Sequence, residues 1–382
     1  MSTGSFRKVH VLVVVRHPVG GIRSFLRYMY SQFDPEHFKL TLLLPKTSEL
    51  DALRKNLKTT DCNFVILEQG AGAMVFIKTL FRIIKAGDID VVHSNGFTAM
   101  VFSVIPSYLH KKPHFLTAHD TFTDKQFAKF TGLVKKIMLG MCFRFVDAIH
   151  SVSLDAQVNL LTYFPALRNQ HSKLVVIPHG VETERFFIDE REDWRKQIGL
   201  EERTFLIGFF GRFMAPKGFK YLIEAIDIIS KMDRDIKPVV LAFGWGGFIR
   251  EEQIEIRRRS LEINFHFLPF QENPAKAMRG VDVIVMPSLS EAYGLLAAEA
   301  MVAGVPIVGT DCIGLREVLR DTPARIVPAG NSKKLAEAII SEIESSSKEK
   351  MDQFRSEAVK RFNVTHQVKK MKLLIKELVD KK

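Results

Sequence analysis

Cysteine is scarce in this chain. Cys62, Cys142 and Cys312 are the three in 382 residues, far apart and odd in number. They form neither a disulfide framework nor a paired-thiol metal site, so a reducing compartment is expected. Long apolar runs are also missing: no stretch reaches the ~18 residues that a transmembrane helix needs. The run VHVLVVV at 9–15 ends in Arg16-His17-Pro18 and lacks a small-residue cleavage site, so it reads as a buried strand and not as a signal segment. The expected location is therefore cytoplasmic, with no integral membrane segment. The formal net charge of +12 favours anionic partners. There is no zinc-ligand spacing and no aromatic RNA-binding signature, and the basic residues are not gathered into one run. Nucleic acid is accordingly set aside as a partner.

What is present is an ordinary globular composition, 46% hydrophobic and 26% charged. The length suits two domains of roughly 150–200 residues each. Short apolar runs alternate with longer amphipathic stretches. VHVLVVV (9–15), KLTLLLP (39–45), NFVILE (63–68), DVVHSN (90–95), HFLTAHD (114–120), AIHSVS (148–153) and KLVVIPHG (173–180) form a first series. TFLIGFFGR (204–212), PVVLAFG (238–244), NFHFLP (264–269), VDVIVMPS (281–288) and PIVGTD (306–311) form a second. The runs are continuous rather than alternating, which predicts strands buried on both faces of parallel sheets covered by helices. The fold class is thus α/β, with two Rossmann-like halves joined by a polar linker near Val181 to Arg203. The expected domains are 1–185, 186–361 and a C-terminal amphipathic helix at 362–382.

Two glutamates stand out in SEAYGLLAAEAMVAGVPIVG (290–309). Glu291 falls in a loop after a strand, and Glu299 just over one turn into the next helix. In an open α/β sheet, ligands gather at the carboxyl ends of the strands, where these residues lie. A helix starting at Gly294 or Leu295 offers unpaired N–H groups to a phosphate. The two acids suit hydroxyls on either side of a diphosphate, as in a nucleotide-sugar. The competing reading leaves Glu299 facing solvent and Glu291 merely supporting the helix dipole. The stretch GFFGRFMAPKGFKYLIEA (208–225) adds Arg212 and Lys217 at the end of another strand of the same half. Guanidinium and ammonium groups there suit a diphosphate leaving group.

These stretches together resemble the retaining glycosyltransferases of family 4, which have the GT-B fold of two Rossmann-like domains facing a cleft. The resemblance runs through nearly the whole chain. SEAYGLLAAEAMVAGVPIVG is similar to the family's E-x7-E motif, GRFMAPKG to its G-R-x4-K-G element, and VIPHGVETERF (176–186) to its segment entering the linker. Gly20-Gly21 resembles the glycine loop after the first strand, and TAHD (117–120) the segment carrying an active-site histidine.

The resemblance implies roles. Arg212 and Lys217 would stabilise the departing diphosphate, Glu291 would contact the transferred sugar, and Glu299 would bind ribose hydroxyls. Gly294 and Leu295 would offer backbone amides. His119 would lie near the transferred sugar, and Gly20 and Gly21 would keep their loop close to the substrates. The base of a UDP- or GDP-sugar would pack near Leu268, Pro269 and Phe270. The C-terminal helix would return to the first domain. Departures from the family pattern are Ala292, Tyr293, His179 and the loop FGWGGF (243–248), which lacks the usual Asp and Pro.

No cofactor and no metal is expected, since two cations and a helix end already serve the leaving group. Asp88-Ile89-Asp90 and Asp233-Arg234-Asp235 precede strands and read as surface turns. The implied reaction transfers a sugar to a hydroxyl of a glycan or lipid-linked acceptor. The segment KQFAKFTGLVKKIMLGMCFRF (125–145) is basic, apolar and free of acids, which suits an anionic membrane surface. A nucleotide-sugar epimerase and a non-catalytic sugar-nucleotide binder are the rival readings.

Overall fold

The computed structural model describes residues 7–381 except 234, 236, 270, 272 and 273. It divides into two compact units, Met1–His179 with Val364–Lys382 and Gly180–Asn363.

The first unit holds a seven-stranded sheet in the order β3-β2-β1-β4-β5-β6-β7. Its strands are β1 (Val9–Val15), β2 (Phe38–Pro45), β3 (Cys62–Leu67), β4 (Val91–Asn95), β5 (His114–Ala118), β6 (Ala148–Ser151) and β7 (Leu174–Val176). All neighbours pair in parallel. The continuous apolar runs have the expected cause. Val11 to Val15 are completely buried, because β1 is central and helices cover both faces.

The second unit repeats the plan with six parallel strands in the order β10-β9-β8-β11-β12-β13. These are β8 (Phe205–Phe210), β9 (Pro238–Phe243), β10 (Phe265–Leu268), β11 (Val283–Met286), β12 (Ile307–Thr310) and β13 (Arg325–Val327). The short strand β13 was not expected from sequence; its half-exposed Arg325 and exposed Ile326 interrupt the apolar run. Strand order reverses direction between β1 and β4 in one sheet and between β8 and β11 in the other. Loops leaving these pairs diverge to opposite faces and open a crevice between them.

The final helix, Val364–Asp380, belongs to the first unit, as expected. Val364, Val368, Met371, Ile375 and Leu378 are buried, at alternating steps of four and three that keep one face inward. Lys372 Nζ donates to Gln32 O at 2.8 Å and sits 5.2 Å from the Phe33 ring centre.

One expectation needs correction. Residues 180–185, assigned to the first domain, and the supposed polar linker to 203 pack into the second unit. Val181 N–H donates to Phe362 O at 2.8 Å, and Asn363 Nδ2 donates to Thr183 Oγ1 at 3.0 Å. Phe186 and Trp194 are buried, and the Arg195 guanidinium is bonded to Asp282. Charged residues outnumber the apolar ones in this segment, which hid its buried anchors.

Candidate functional site at two sheet edges

The β8 and β11 exits of the second unit are bound tightly together. After β8 the chain makes a short turn, Ala215–Lys217, and enters the helix Phe219–Ser230 through Gly218. Gly218 has φ +67°, and a Cβ there would stand 2.0 Å from Pro287 O. Only glycine permits both the left-handed backbone and this approach. Leu289 N–H donates to Pro216 O at 2.8 Å, fixing the second loop against the first.

This geometry brings Lys217 to Glu291. Lys217 Nζ lies 2.7 Å from Glu291 Oε1 and 2.9 Å from Oε2. Ser288 Oγ donates to Glu291 Oε1 at 2.8 Å, and Thr310 Oγ1 in turn donates to Ser288 O. Glu291 N–H donates to Ile313 O at 3.1 Å, so the β12 exit holds the backbone of the same residue. Sequence reading missed Ser288, although a serine three residues before an acid at a strand exit is a legible signal.

Arg212 follows Gly211 at the β8 exit and is half-buried. It forms no ion pair with any described residue, whereas the charge of Lys217 is compensated by Glu291. The uncompensated cation of this pair is therefore Arg212.

Gly294, at φ +105°, caps the helix Leu295–Val302 without any side-chain cap bond. The first N–H groups of a helix, Leu295 among them, lack intrahelical acceptors and carry partial positive charge. Glu299 lies five residues into this helix and is 8% exposed, amid Ala297, Ala298, Ala300 and Met301, which are fully buried. The solvent-facing alternative for Glu299 is thereby excluded. The structure also places Leu268 and Pro269 at the β10 exit; Phe270 lies outside the described residues.

At the edge of the first sheet, His119 follows β5. Its Nε2 is 3.0 Å from Asn95 Oδ1 at the β4 exit. Phe25 meets the imidazole edge-on at 4.7 Å, and the His179 ring stacks on it at 5.6 Å between centroids. Burial pushes the His119 pKa down to about 3, with further lowering by His150, so its ring is neutral at ordinary pH. Deeper in the sheet, His93 Nε2 bonds Thr117 Oγ1 at 2.7 Å, Thr117 Oγ1 bonds His150 Nδ1 at 2.9 Å, and His150 Nε2 bonds Ile177 O at 2.8 Å. Neither Asn95 nor this cross-strand ladder was foreseen, because the partners sit on different strands. Gly20, at φ +59°, starts the helix Gly21–Tyr30, and Ser24 N–H donates to its carbonyl at 3.0 Å. The left-handed requirement falls on Gly20; an added Cβ on Gly21 would meet nothing within 4 Å.

The basic, apolar segment 125–145 forms Asp124–Phe127 and Phe130–Arg144. Leu139, Cys142 and Phe143 face the core, while Phe130 is 80% exposed. Leu133, Val134, Ile137 and Met141 are at least half exposed as well. Tyr108, at the end of the helix Phe97–Leu109, meets exposed Phe145 edge-on at 5.1 Å and extends the apolar surface. Lys125, Lys129, Lys135 and Arg144 are exposed on the same segment. Apolar surface on this scale is unusual for a face that stays in water.

Among the described residues no helix is long and apolar enough to cross a membrane, and no cluster of three or more His, Cys, Asp or Glu could hold a metal ion. Asp88 and Asp90 lie just before β4: Asp90 accepts from Arg7 and from the N–H of His10 near the start of β1, and Asp88 pairs at 3.0 Å with Lys39 near the start of β2. Asp233 and Asp235 are exposed; Arg234 between them lies outside the described residues.

Comparison with known proteins adds to this geometry. Residues 190–361 match the family described as Glycosyl transferases group 1, and residues 19–185 match Glycosyltransferase Family 4. The chain is 27% identical over 284 residues to a phosphatidyl-myo-inositol mannosyltransferase of Mycobacterium leprae, covering 72% of this chain and 70% of that one. It is 32% identical over 260 residues to a D-inositol 3-phosphate glycosyltransferase of Geodermatophilus obscurus, covering 64% of this chain and 57% of that one. The structure of HepE from Anabaena in complex with UDP and glucose superposes with a TM-score of 0.81 at 20% identity, over 97% of this chain and 100% of that chain.

Proposed function

The chain belongs to the group 1, family 4 glycosyltransferases with the GT-B fold, and from that premise we propose how its residues divide the work. It is a retaining transferase that takes its sugar from a nucleotide-sugar. The observation that carries the site assignment is the Lys217–Glu291–Ser288 cluster beside the Gly294-capped helix, at the switch point between β8 and β11.

The donor's diphosphate lies against the N–H groups of Gly294 and Leu295. Arg212 meets the charge that develops on the leaving oxygen, because no acid competes for it. Lys217, held by both oxygens of Glu291, adds a second positive charge at a fixed place. Such preorganised charges act most strongly where charge grows during the reaction. Glu291 accepts a hydrogen bond from a hydroxyl of the transferred sugar, and Glu299 accepts from the ribose hydroxyls. These protein charges make a metal ion unnecessary for leaving-group departure. As the glycosidic bond lengthens, an oxocarbenium-like centre forms, and the acceptor hydroxyl attacks from the face the diphosphate leaves, its proton passing to an oxygen of the departing diphosphate. Neutral His119 serves as a hydrogen-bonding group toward the sugar, and the Gly20-Gly21 loop shapes the acceptor side.

The acceptor is a hydroxyl on a glycan or lipid-linked molecule. A lipid-bearing acceptor is supported by the similarity to a phosphatidyl-myo-inositol mannosyltransferase and by the exposed apolar and basic surface of Phe130–Arg144. That surface seats the enzyme peripherally on the anionic, cytoplasmic face of a membrane.

The test is turnover of a panel of UDP- and GDP-sugars in the presence of EDTA, with the anomeric configuration of the product read by NMR. One donor consumed at an EDTA-independent rate, with retention, supports the proposal. A rate abolished by EDTA and restored by a divalent ion contradicts the metal-free division of labour.

A further inference from the structure

We propose that Trp245 is the platform on which the donor's nucleobase stacks. The proposal rests on the donor site assigned above and adds an affinity-determining residue to it.

Trp245 stands at the carboxyl end of β9, in the loop where this chain departs from the family pattern. It is 46% exposed, although indole is among the most costly side chains to leave in water. Its backbone is rigidly held. Phe213 N–H donates to Trp245 O at 3.0 Å, and Phe248 N–H donates to Phe213 O at 3.2 Å. The glycines on either side press against the β8 exit. A Cβ on Gly244 would stand 1.9 Å from Gly211 O, and one on Gly246 would stand 2.4 Å from Phe213 O. The turn carrying Trp245 is thus bolted to the turn carrying Arg212. A rigid aromatic surface costs little entropy to bind against.

Strand order then selects the ligand part. In β10-β9-β8-β11, β9 lies between β8, whose exit carries Arg212, and β10, whose exit carries Leu268 and Pro269. Adjacent parallel strands are about 4.8 Å apart, so those two exits are roughly 10 Å apart. A nucleotide with its diphosphate at Arg212 and its base toward Leu268 must pass the β9 exit. The flat, apolar part that reaches this edge is the base. Stacking of this kind is tolerant of base identity, so Trp245 contributes affinity while backbone groups nearby choose the base.

The chain's two tryptophans make the test direct. Trp194 is 7% exposed and donates its Nε1–H to Ala277 O at 3.0 Å, so it serves as an internal reference. The full chain is titrated with UDP, GDP, ADP and inorganic diphosphate. Indole emission is followed with excitation at the red edge of the band, and affinity is measured by calorimetry. A nucleoside diphosphate is expected to quench emission in the wild type but not in Trp245→Phe, while inorganic diphosphate quenches neither. Trp245→Ala is expected to weaken nucleotide binding about ten- to hundredfold, with Trp245→Phe within about fivefold of wild type. Inorganic diphosphate should bind all three forms alike. Nucleotide binding that is unchanged in Trp245→Ala overturns this proposal and leaves the donor site standing. Failure of every nucleotide to bind the wild type overturns both.

Discussion

Lys217 and Glu291 are 74 residues apart in sequence, yet the lysine ammonium contacts both carboxylate oxygens, at 2.7 and 2.9 Å. The pair joins the two motifs of the second unit into one object. It is also partly shielded, with side chains 30% and 11% exposed, so it is more than a surface contact.

Removing either partner should therefore leave the other uncompensated. Lys217→Ala is expected to lower kcat about a hundred- to thousandfold with a smaller change in donor affinity, as loss of a transition-state charge does. The double variant Lys217→Ala/Glu291→Ala should lose less than the product of the two single effects. Steady-state kinetics of the four proteins check this; strictly multiplicative losses would show that the pair does not act as a unit.

Glu299 has a different place, inside a helix whose neighbouring side chains are fully buried. Glu299→Ala is expected to raise the donor Kd about ten- to hundredfold, because hydrogen bonds to a buried carboxylate are the strong kind. Glu299→Gln keeps the shape and should recover part of the affinity. Calorimetry with the nucleoside diphosphate checks it, and unchanged affinity in Glu299→Ala would remove this residue from the ribose.

Gly218 tests the frame rather than the chemistry. Gly218→Ala places a methyl group against Pro287 O at a separation no relaxed structure accepts, in a left-handed backbone. The expected result is a lower Tm together with at least a tenfold loss of nucleotide affinity, since the Lys217 and Glu291 loops must part. A fully stable variant with normal affinity would mean that the two loops are not held as described.

Acid should unfold the first unit through its histidines. Burial holds His114 and His119 at about 3 and His150 at about 4, against about 6.5 in an unfolded chain. Below about pH 6.5 the unfolded state binds protons that the folded state refuses. The stabilisation is complete above that pH and is lost as pH falls toward the folded values, by about 1.4 kcal/mol per pH unit for each histidine. Urea midpoints measured from pH 7.5 to pH 5 should fall steadily, and a flat profile would contradict the buried, neutral histidines.

The exposed face of Phe130–Arg144 makes its own prediction. The wild type should sediment with vesicles containing anionic lipid, less with purely zwitterionic ones, and less at high salt. Leu133→Gln/Ile137→Gln/Met141→Gln should reduce vesicle binding at least tenfold without lowering Tm, since these side chains make little use of the core. Equal sedimentation of the triple variant would exclude this face as the membrane seat.

Much of the fold was legible because parallel strands buried on both faces leave continuous apolar runs such as 9–15 and 238–244. The positions of Arg212, Lys217 and Glu291 were legible because each lies in the loop that leaves a strand, and that of Glu299 because it lies in the helix that follows one. The salt link between Lys217 and Glu291 was not, since it depends on the β8 and β11 exits being neighbours, which strand order decides. The membership of 180–203 in the second unit escaped for another reason: its buried anchors Phe186 and Trp194 are few and the segment around them is mostly charged. The apolar side chains of 125–145 could equally have faced the core or solvent, and only their exposure distinguishes the two.

The most direct test of the central assignment is the thermal stability of the purified chain with UDP, GDP, ADP and the corresponding nucleotide-sugars, each with and without EDTA. A ligand that binds only the folded state raises Tm by mass action. The account predicts a rise with one nucleotide class, unchanged by EDTA, and a clearly smaller rise in Arg212→Ala and Glu299→Ala at the same ligand concentration. A rise of equal size in the wild type and both variants would place the nucleotide elsewhere and contradict the donor site described for the β8 and β11 exits.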